Sequence, residues 1–540
     1  CAEENNIPHK IKISVLIVLF IRLLKYLFFV NLLSIPISLK AYKMNRRNFI
    51  KKGVNLGFLS TLPLSYSCSL FSKGLPADIT AFNAVTLSDA IRTKKVSCIE
   101  VMNAYLKHIN QFNPTYNAIV SRVSDDILLE EAKEADAALA KGDYWGWMHG
   151  MPHAIKDLAP VKGMLHTSGS PMFANRIAEE DSVLVQKIRN QGALFIGKTN
   201  TPEFGLGSQT YNPVFGATGS AFNPKLTAGG SSGGAACGLG THMLPAAEGG
   251  DMMGSLRNPG AFNNVVGFRP STTVVMSEGN AEERLLWTSG PMGRNTRDLI
   301  QLLNTVALQP DFQNLNPLNL KGVKIGWLRD LNGYLPFESG ILDLCENSLN
   351  KIDTAGADIE LAQPKFSPAD LWFCWTTLRH HTRLNMLEFY EDPKTHDLLK
   401  PELIWEIEQA LSLTEKDVQR AKEIRKAWYG ELDRLFRSYD FLLLPTAQVF
   451  PFSKETHWPK QINGREMDTY HRWMEVVIMG SLGGIPAFNS PTGFDPSGRP
   501  MGIQVLGKFG SDKKVLEFAL AYEQITDYLD RRPELISALG

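Results

Sequence analysis

The stretch TAGGSSGGAACGLGTHMLPAAEGGDMMGSLRNPG, residues 227–260, holds two glycine-rich loops that both carry serine. Glycine at this density permits backbone angles that other residues avoid, and it lets a ligand come close to the chain. Structure alone could call for one such loop. Two of them so close together, bearing Ser231, Ser232 and Ser255, suggest a site. The second loop also has an oddity, since Met252 and Met253 stand directly before Gly254 and Ser255.

Around this stretch the chain reads as alternating helices and short apolar strands. Ser97 and Glu100 form a capping box that opens a helix carrying Val101, Met102, Tyr105 and Ile109. A strand NAIVSRV follows, then a helix over about 124–141 that stops at Gly142. Beyond GMPHAIKDL come a helix near 181–191, ending at Gly192, and the strand ALFIGKT. Near the end, FLLLPT and GIQVLG read as strands, with the turn GFDPSGRP between them. This alternation predicts an α/β fold in which helices pack on a sheet. No linker or repeat divides residues 76–540. The segment at about 310–470 differs in texture: it begins with the strand VKIGWL and continues into WFCWTTLRHHTRLNMLEFYED and long charged helices, one capped by Thr414 and Asp417.

Composition removes several classes of function. Of 540 residues, 44% are hydrophobic and 21% charged, enough apolar material for a large core. Lysine plus arginine equals aspartate plus glutamate at 56 each, so no net field draws the chain to nucleic acid. The six cysteines form no CxxC pair and have no metal-ligand spacing with histidine, so neither a disulfide framework nor a metal site is expected. The N-terminus stands apart. Residues 13–39 are apolar but interrupted by Arg22, Lys25 and Pro36, and residues 1–43 read as an upstream or membrane-like extension. From Met44 the text MNRRNFIKKGVNLGFLSTLPLSYSC, with Arg46-Arg47 before an apolar run, resembles a twin-arginine export signal over 44–75. That places the protein outside the cytoplasm, with contact to a membrane only through this segment and Cys68 a candidate lipid-attachment site. Without the signal the protein would be cytoplasmic.

Two motifs compete for attention. GALFIGKT, residues 192–199, matches the phosphate-loop pattern, but its central residues are those of a strand, whereas a phosphate cradle needs a flexible loop ahead of a helix. GSSGG, residues 230–234, matches a nucleophile elbow centred on Ser232; its preceding text, AFNPKLTAG, reads as a loop where the elbow needs a strand. A lysine in an apolar context, Lys156 of HAIKDL, either reaches water at a strand end or is buried for a purpose.

Taken together, GMPHAIKD, GKTNTPEFG, AFNPKLTAGGSSGGAA, DMMGSLRNPGAFNNVVGFRPS, SGPMGR, GGIPAFNSPTGF and GRPMGIQVLG resemble the amidase signature family of serine hydrolases, in that family's order across residues 150–507. The resemblance implies one large domain over 76–540 built on a mixed, mostly parallel sheet covered on both sides by helices, with a variable helical substrate-pocket region at about 310–470. It implies a Ser-Ser-Lys triad: Ser255 as nucleophile, Lys156 as base and Ser231 as proton relay. Met252, Met253, Gly254, Gly230 and Ser232 would line the oxyanion and substrate site. The implied reaction is hydrolysis of a carboxylic amide to an acid and an amine or ammonia, on a small-molecule substrate, with no cofactor, metal or nucleic acid. The chemistry agrees with general principles, because an alcohol nucleophile needs an adjacent base, and burial can lower an amine's pKa by up to ~3–5 units. Backbone N–H groups of the 252–255 turn are the natural donors to an oxyanion. The family usually has two glycines before the nucleophile, and this chain has Met253 and Gly254. A methionine at positive φ would be strained, so Met253 is expected at negative φ with its side chain beside or behind the acyl site. The aromatic residues at 372–390 suggest an apolar or aromatic acyl group. Two other readings fit the same resemblance: the amide-cleaving component of a tRNA-dependent amidotransferase, working with partner proteins, and an inactive exported binding protein.

Overall fold

The computed structural model describes residues 78–276 and 286–537. The extension, the export signal and Cys68 all fall outside them. The described residues form one compact unit, with a core cluster running from Phe82 to Ile536.

Local signals set most elements. The capping box at Ser97 and Glu100 starts α1 (Cys98–Tyr116), whose apolar face is buried, and Asn117 ends it in the left-handed conformation. After β1 (Ile119–Val120), α2 (Asp125–Ala140) opens with two acidic residues, which suit the positive end of a helix dipole. Next come β2 (Pro152–Lys156) and β3 (Leu194–Thr199). These three strands make a small sheet in the order β1-β3-β2, with β2 parallel and β1 antiparallel to β3.

The serine loops surround three elements: α3 (Gly233–Gly240), β4 (Ala247–Asp251) and α4 (Arg257–Phe262). Further on lie β5 (Val266–Arg269), β6 (Thr288–Gly293), β7 (Lys324–Trp327) and β8 (Asp358–Leu361). Three longer helices among those that follow are α5 (Pro368–Thr382), α6 (Pro401–Ser412) and α7 (Glu415–Ser438), the last opened by the Thr414–Asp417 capping box. The chain then returns to strands in β9 (Phe441–Pro445), β10 (Ala487–Phe494) and β11 (Pro500–Leu506).

Eight strands form the large sheet, in the order β8-β7-β9-β11-β10-β5-β6-β4, flanked by helices. The sheet is mixed, but not mostly parallel as the resemblance implied. Only β7 pairs in parallel, with β8 and β9, and the other five pairings are antiparallel. For one of these pairings the cause is local: GFDPSGRP is too short for a crossover helix, so it returns β10 into β11 as an antiparallel pair. The segment at 310–470 includes the strands read at VKIGWL and FLLLPT. It supplies β7, β8 and β9, the parallel edge of the sheet, around helices α5 to α7.

GALFIGKT is the strand read from its apolar centre. Lys198 is fully buried there, donating through Nζ to the Ala159 carbonyl and lying 4.0 Å from Asp157, so it has a structural ion-pair role. AFNPKLTAG differs from its reading as a loop, since residues 223–227 pair with 219–220 as a short strand. Among the described residues no helix is long and apolar enough to cross a membrane.

Candidate active site

The site forms where the end of β2 meets the edge strand β4. The Lys156 backbone N–H donates to Glu248 Oε1 at 2.7 Å, tying the small sheet to the large one. The Lys156 side chain is buried, and its Nζ lies 2.8 Å from Ser231 Oγ and 2.9 Å from Ser232 Oγ. Burial lowers the amine's pKa to about 7, while the negative charges of Glu248 and Asp251 oppose that shift.

Glycine allows this close packing. A Cβ on Gly249 would stand 2.2 Å from Ser232 Oγ, so only a residue without a side chain lets β4 pass the serine loop. The Gly230–Ser231 peptide is cis. The loop is held by Ser208 Oγ donating to the Gly230 carbonyl at 2.6 Å and Thr210 Oγ1 donating to the Gly229 carbonyl at 2.8 Å. Ser232 N–H donates to the Ser255 carbonyl at 3.3 Å, joining the two loops.

The turn that presents Ser255 is organised by Asp251. One carboxylate oxygen accepts from Gly254 N–H at 2.9 Å and the other from Leu256 N–H at 3.2 Å. Arg257 grips the same carboxylate with two bonds of 3.0 Å each, and Arg269 lies 3.7 Å away. Burial alone would raise the Asp251 carboxyl, but the paired guanidinium of Arg257 holds it down to about 2. Arg257 also donates to Gln504 Oε1 at 2.7 Å, to Ser481 Oγ at 2.9 Å and to the Val477 carbonyl at 3.1 Å, so β11 and the 477–481 segment brace the turn.

Positive φ in this turn falls on Gly254, at 81°, and neither Met252 nor Met253 has positive φ. Met253 is buried and lines the cavity beside Ser231 and Ser255, as the steric argument expected. Gly254 departs from its expected part as an oxyanion donor, because its N–H is committed to Asp251. Among the described residues, no acceptor is assigned to the N–H groups of Met252, Met253 and Ser255. No hydrogen bond joins Ser231 Oγ to Ser255 Oγ.

A cavity of about 190 Å³ opens over Ser231, Met252, Met253 and Ser255. The aromatic segment at 372–390 contributes Arg379 and Arg383 to its wall, while Trp372 and Trp375 are buried in the core. Ser232 and Gly230 do not line it; Ser232 is fully buried behind Lys156. Glu248, Asp251, Arg257, Arg379 and Arg383 were not singled out in the sequence. The available signal was an acid–base pair, Asp251 and Arg257, inside a motif otherwise built of small and apolar residues.

The family model for amidases matches residues 100–516. The chain belongs to the amidase signature family. An acylamidase of Rhodococcus erythropolis is 29% identical over 470 residues, covering 84% of this chain and 97% of that protein. A glutamyl-tRNA(Gln) amidotransferase subunit of Thiobacillus denitrificans is 28% identical over 491 residues, covering 84% and 98%. A bacterial aryl acylamidase of the amidase signature enzymes superposes with a TM-score of 0.77 at 25% identity, over 83% of this chain and 98% of that one. The protein is thus an amide-cleaving enzyme of this family.

Removing the Asp251 charge tests the construction of the turn. Asp251→Asn leaves Arg257 and Arg269 buried without their anion, and should lower unfolding free energy by about 3–5 kcal/mol, read as a fall in the urea midpoint. A loss below ~1 kcal/mol, the range of an exposed ion pair, would contradict this account.

Proposed function

We propose that the protein hydrolyses linear carboxylic amides through an acyl-enzyme on Ser255. The observation that carries this reading is the buried Lys156 amine 2.8 Å from Ser231 Oγ, in the wall of the cavity onto which Ser255 opens. An ammonium has three donors and no acceptor, whereas a neutral amine can donate to one hydroxyl while accepting from another. Lys156 Nζ donates to both Ser231 Oγ and Ser232 Oγ, and in its neutral form it keeps a lone pair that can take up the Ser231 proton when the contact reverses.

In the first step Ser255 Oγ bonds to the amide carbon. Its proton passes to Ser231 Oγ, whose own proton passes to Lys156 Nζ. The carbonyl oxygen takes the negative charge and meets the free N–H groups of Met252, Met253 and Ser255. Losing one such donor costs roughly 2.7–4 kcal/mol of barrier in enzymes of this kind. As the C–N bond breaks, the relay returns the proton to the leaving nitrogen. Water then attacks the ester carbon and gives its proton to the same relay, which passes it to Ser255 Oγ as the acyl C–O bond breaks and the acid leaves. The Ser231–Ser255 contact closes when substrate fills the cavity, since catalytic hydrogen bonds often tighten only in the complex.

The likeness to the amidotransferase component supports a second reading, in which the chain acts only beside partner proteins. Amide cleavage by the purified chain alone favours the first reading, and activity that requires added partners favours the second.

A fluorophosphonate probe should label the chain and its Ser232→Ala variant, and fail to label Ser255→Ala. Labelling that survives Ser255→Ala would overturn the assignment. The pH profile of kcat/KM should fall on the acid side about tenfold per unit below pH 7, because Lys156 works only when neutral and gains a proton as pH falls through about 7. A profile flat from pH 5 to 8 would contradict a lysine base.

A further inference from the structure

Two arginines share the cavity wall with the serines. Arg379 lies near the end of α5 and Arg383 just beyond it. Both bond one buried carboxylate: Arg379 Nε donates to Glu406 Oε1 at 2.7 Å, and Arg383 Nε donates to Glu406 Oε2 at 2.8 Å. Burial alone would raise Glu406, yet the two guanidinium groups hold its carboxyl well below the usual range. The other groups that act directly on Glu406 add no negative charge. Tyr470 accepts from Arg379 Nη2 at 2.8 Å, and burial pushes its hydroxyl up, so it stays protonated. Burial drives His380 and His471 toward their neutral forms. Two positive charges therefore stand against one negative charge.

One further donor nitrogen of each arginine ends on sulfur. Arg379 Nη1 donates to Met252 Sδ at 3.3 Å, and Arg383 Nη2 to the same atom at 3.7 Å. A thioether is neutral and a weak acceptor, so N–H groups that end on it remain available to a stronger one. Met252 opens the turn that ends at Ser255, which puts these donors next to the reacting carbonyl. At about 190 Å³ the cavity is smaller than drug-sized pockets and has little room for a long acyl chain.

We propose that the site selects small amides that carry a carboxylate within a few bonds of the cleaved carbonyl, and that Arg379 and Arg383 are the residues that hold it. A partly desolvated guanidinium pair is well suited to that anion. The inference rests on the Ser255 reading for turnover, but binding can be measured without turnover.

The test is calorimetric binding to the full-length Ser255→Ala chain, with two pairs of probes that differ only by carboxylate against carboxamide. One pair, glutaryl-p-nitroanilide and its carboxamide twin, carries the group on the acyl side; the other, 4-acetamidobenzoate and 4-acetamidobenzamide, carries it on the amine side. One acid should bind at least about tenfold tighter than its twin, and salt should weaken that preference. Adding Arg383→Gln should bring the ratio close to one, and Arg383→Lys should keep part of it. Equal binding within both pairs would overturn the inference, as would a preference that survives both Arg383→Gln and Arg379→Gln. If the preference holds but wild-type protein resists the fluorophosphonate, the Ser255 reading falls and the carboxylate site stands.

Discussion

The bidentate contact between Asp251 and Arg257, with both side chains fully buried, is the constraint on which the site depends. Asp251 ends the edge strand β4 and Arg257 begins α4, so one ion pair sets the span of the turn between them. The same carboxylate takes the N–H groups of Gly254 and Leu256, which leaves those of Met252, Met253 and Ser255 without assigned acceptors. A buried pair of this kind is weak evidence of net stability, because desolvation offsets much of the attraction. Its value here is geometric: it selects which amides face the cavity. Side chains that do not touch the cavity thereby decide what the cavity can stabilise.

Charge is distributed to the same end. Arg257 and Arg269 face Asp251, and Arg379 and Arg383 face Glu406; in both clusters two guanidinium groups meet one carboxylate. Each leaves a net positive charge near the point where an amide carbonyl would gain negative charge. Lys156, by contrast, is buried between Ser231 and Ser232, where burial favours the neutral amine. Fixed cations and a neutral base can coexist this closely because guanidinium groups keep their protons where an amine gives one up. Under the proposed mechanism, the arginines favour a developing anion while the Lys156 amine is left to accept a proton.

Much of this was legible in the sequence, and the limits have physical causes. Capping boxes at Ser97 and Thr414, and glycine stops such as Gly142, are local, so the helices they bound were readable. Met253 could be placed at negative φ from sterics alone, and the strand character of GALFIGKT was clear from its apolar centre. Strand direction in the large sheet was not readable, because it depends on which distant segments pair. Nor could the two arginines in the cavity wall be read, although Ser231, Met252, Met253 and Ser255 were. Trp372 and Trp375 dominate their segment and suggested an apolar pocket, yet they pack into the core, while Arg379, a turn further along the same helix face, and Arg383, just beyond the helix, reach Met252. The commitment of the Gly254 N–H to Asp251 was also hidden, since backbone donors look alike in a sequence until their acceptors are placed.

The most direct test of the central claim is a crystal structure of the chain after reaction with a small fluorophosphonate. The account predicts phosphorus bonded to Ser255 Oγ, with the phosphonyl oxygen about 2.7–3.1 Å from backbone N–H groups of Met252, Met253 or Ser255, and Gly254 N–H still bound to Asp251. An adduct on another residue, or a phosphonyl oxygen pointing away from the turn toward solvent, would contradict it.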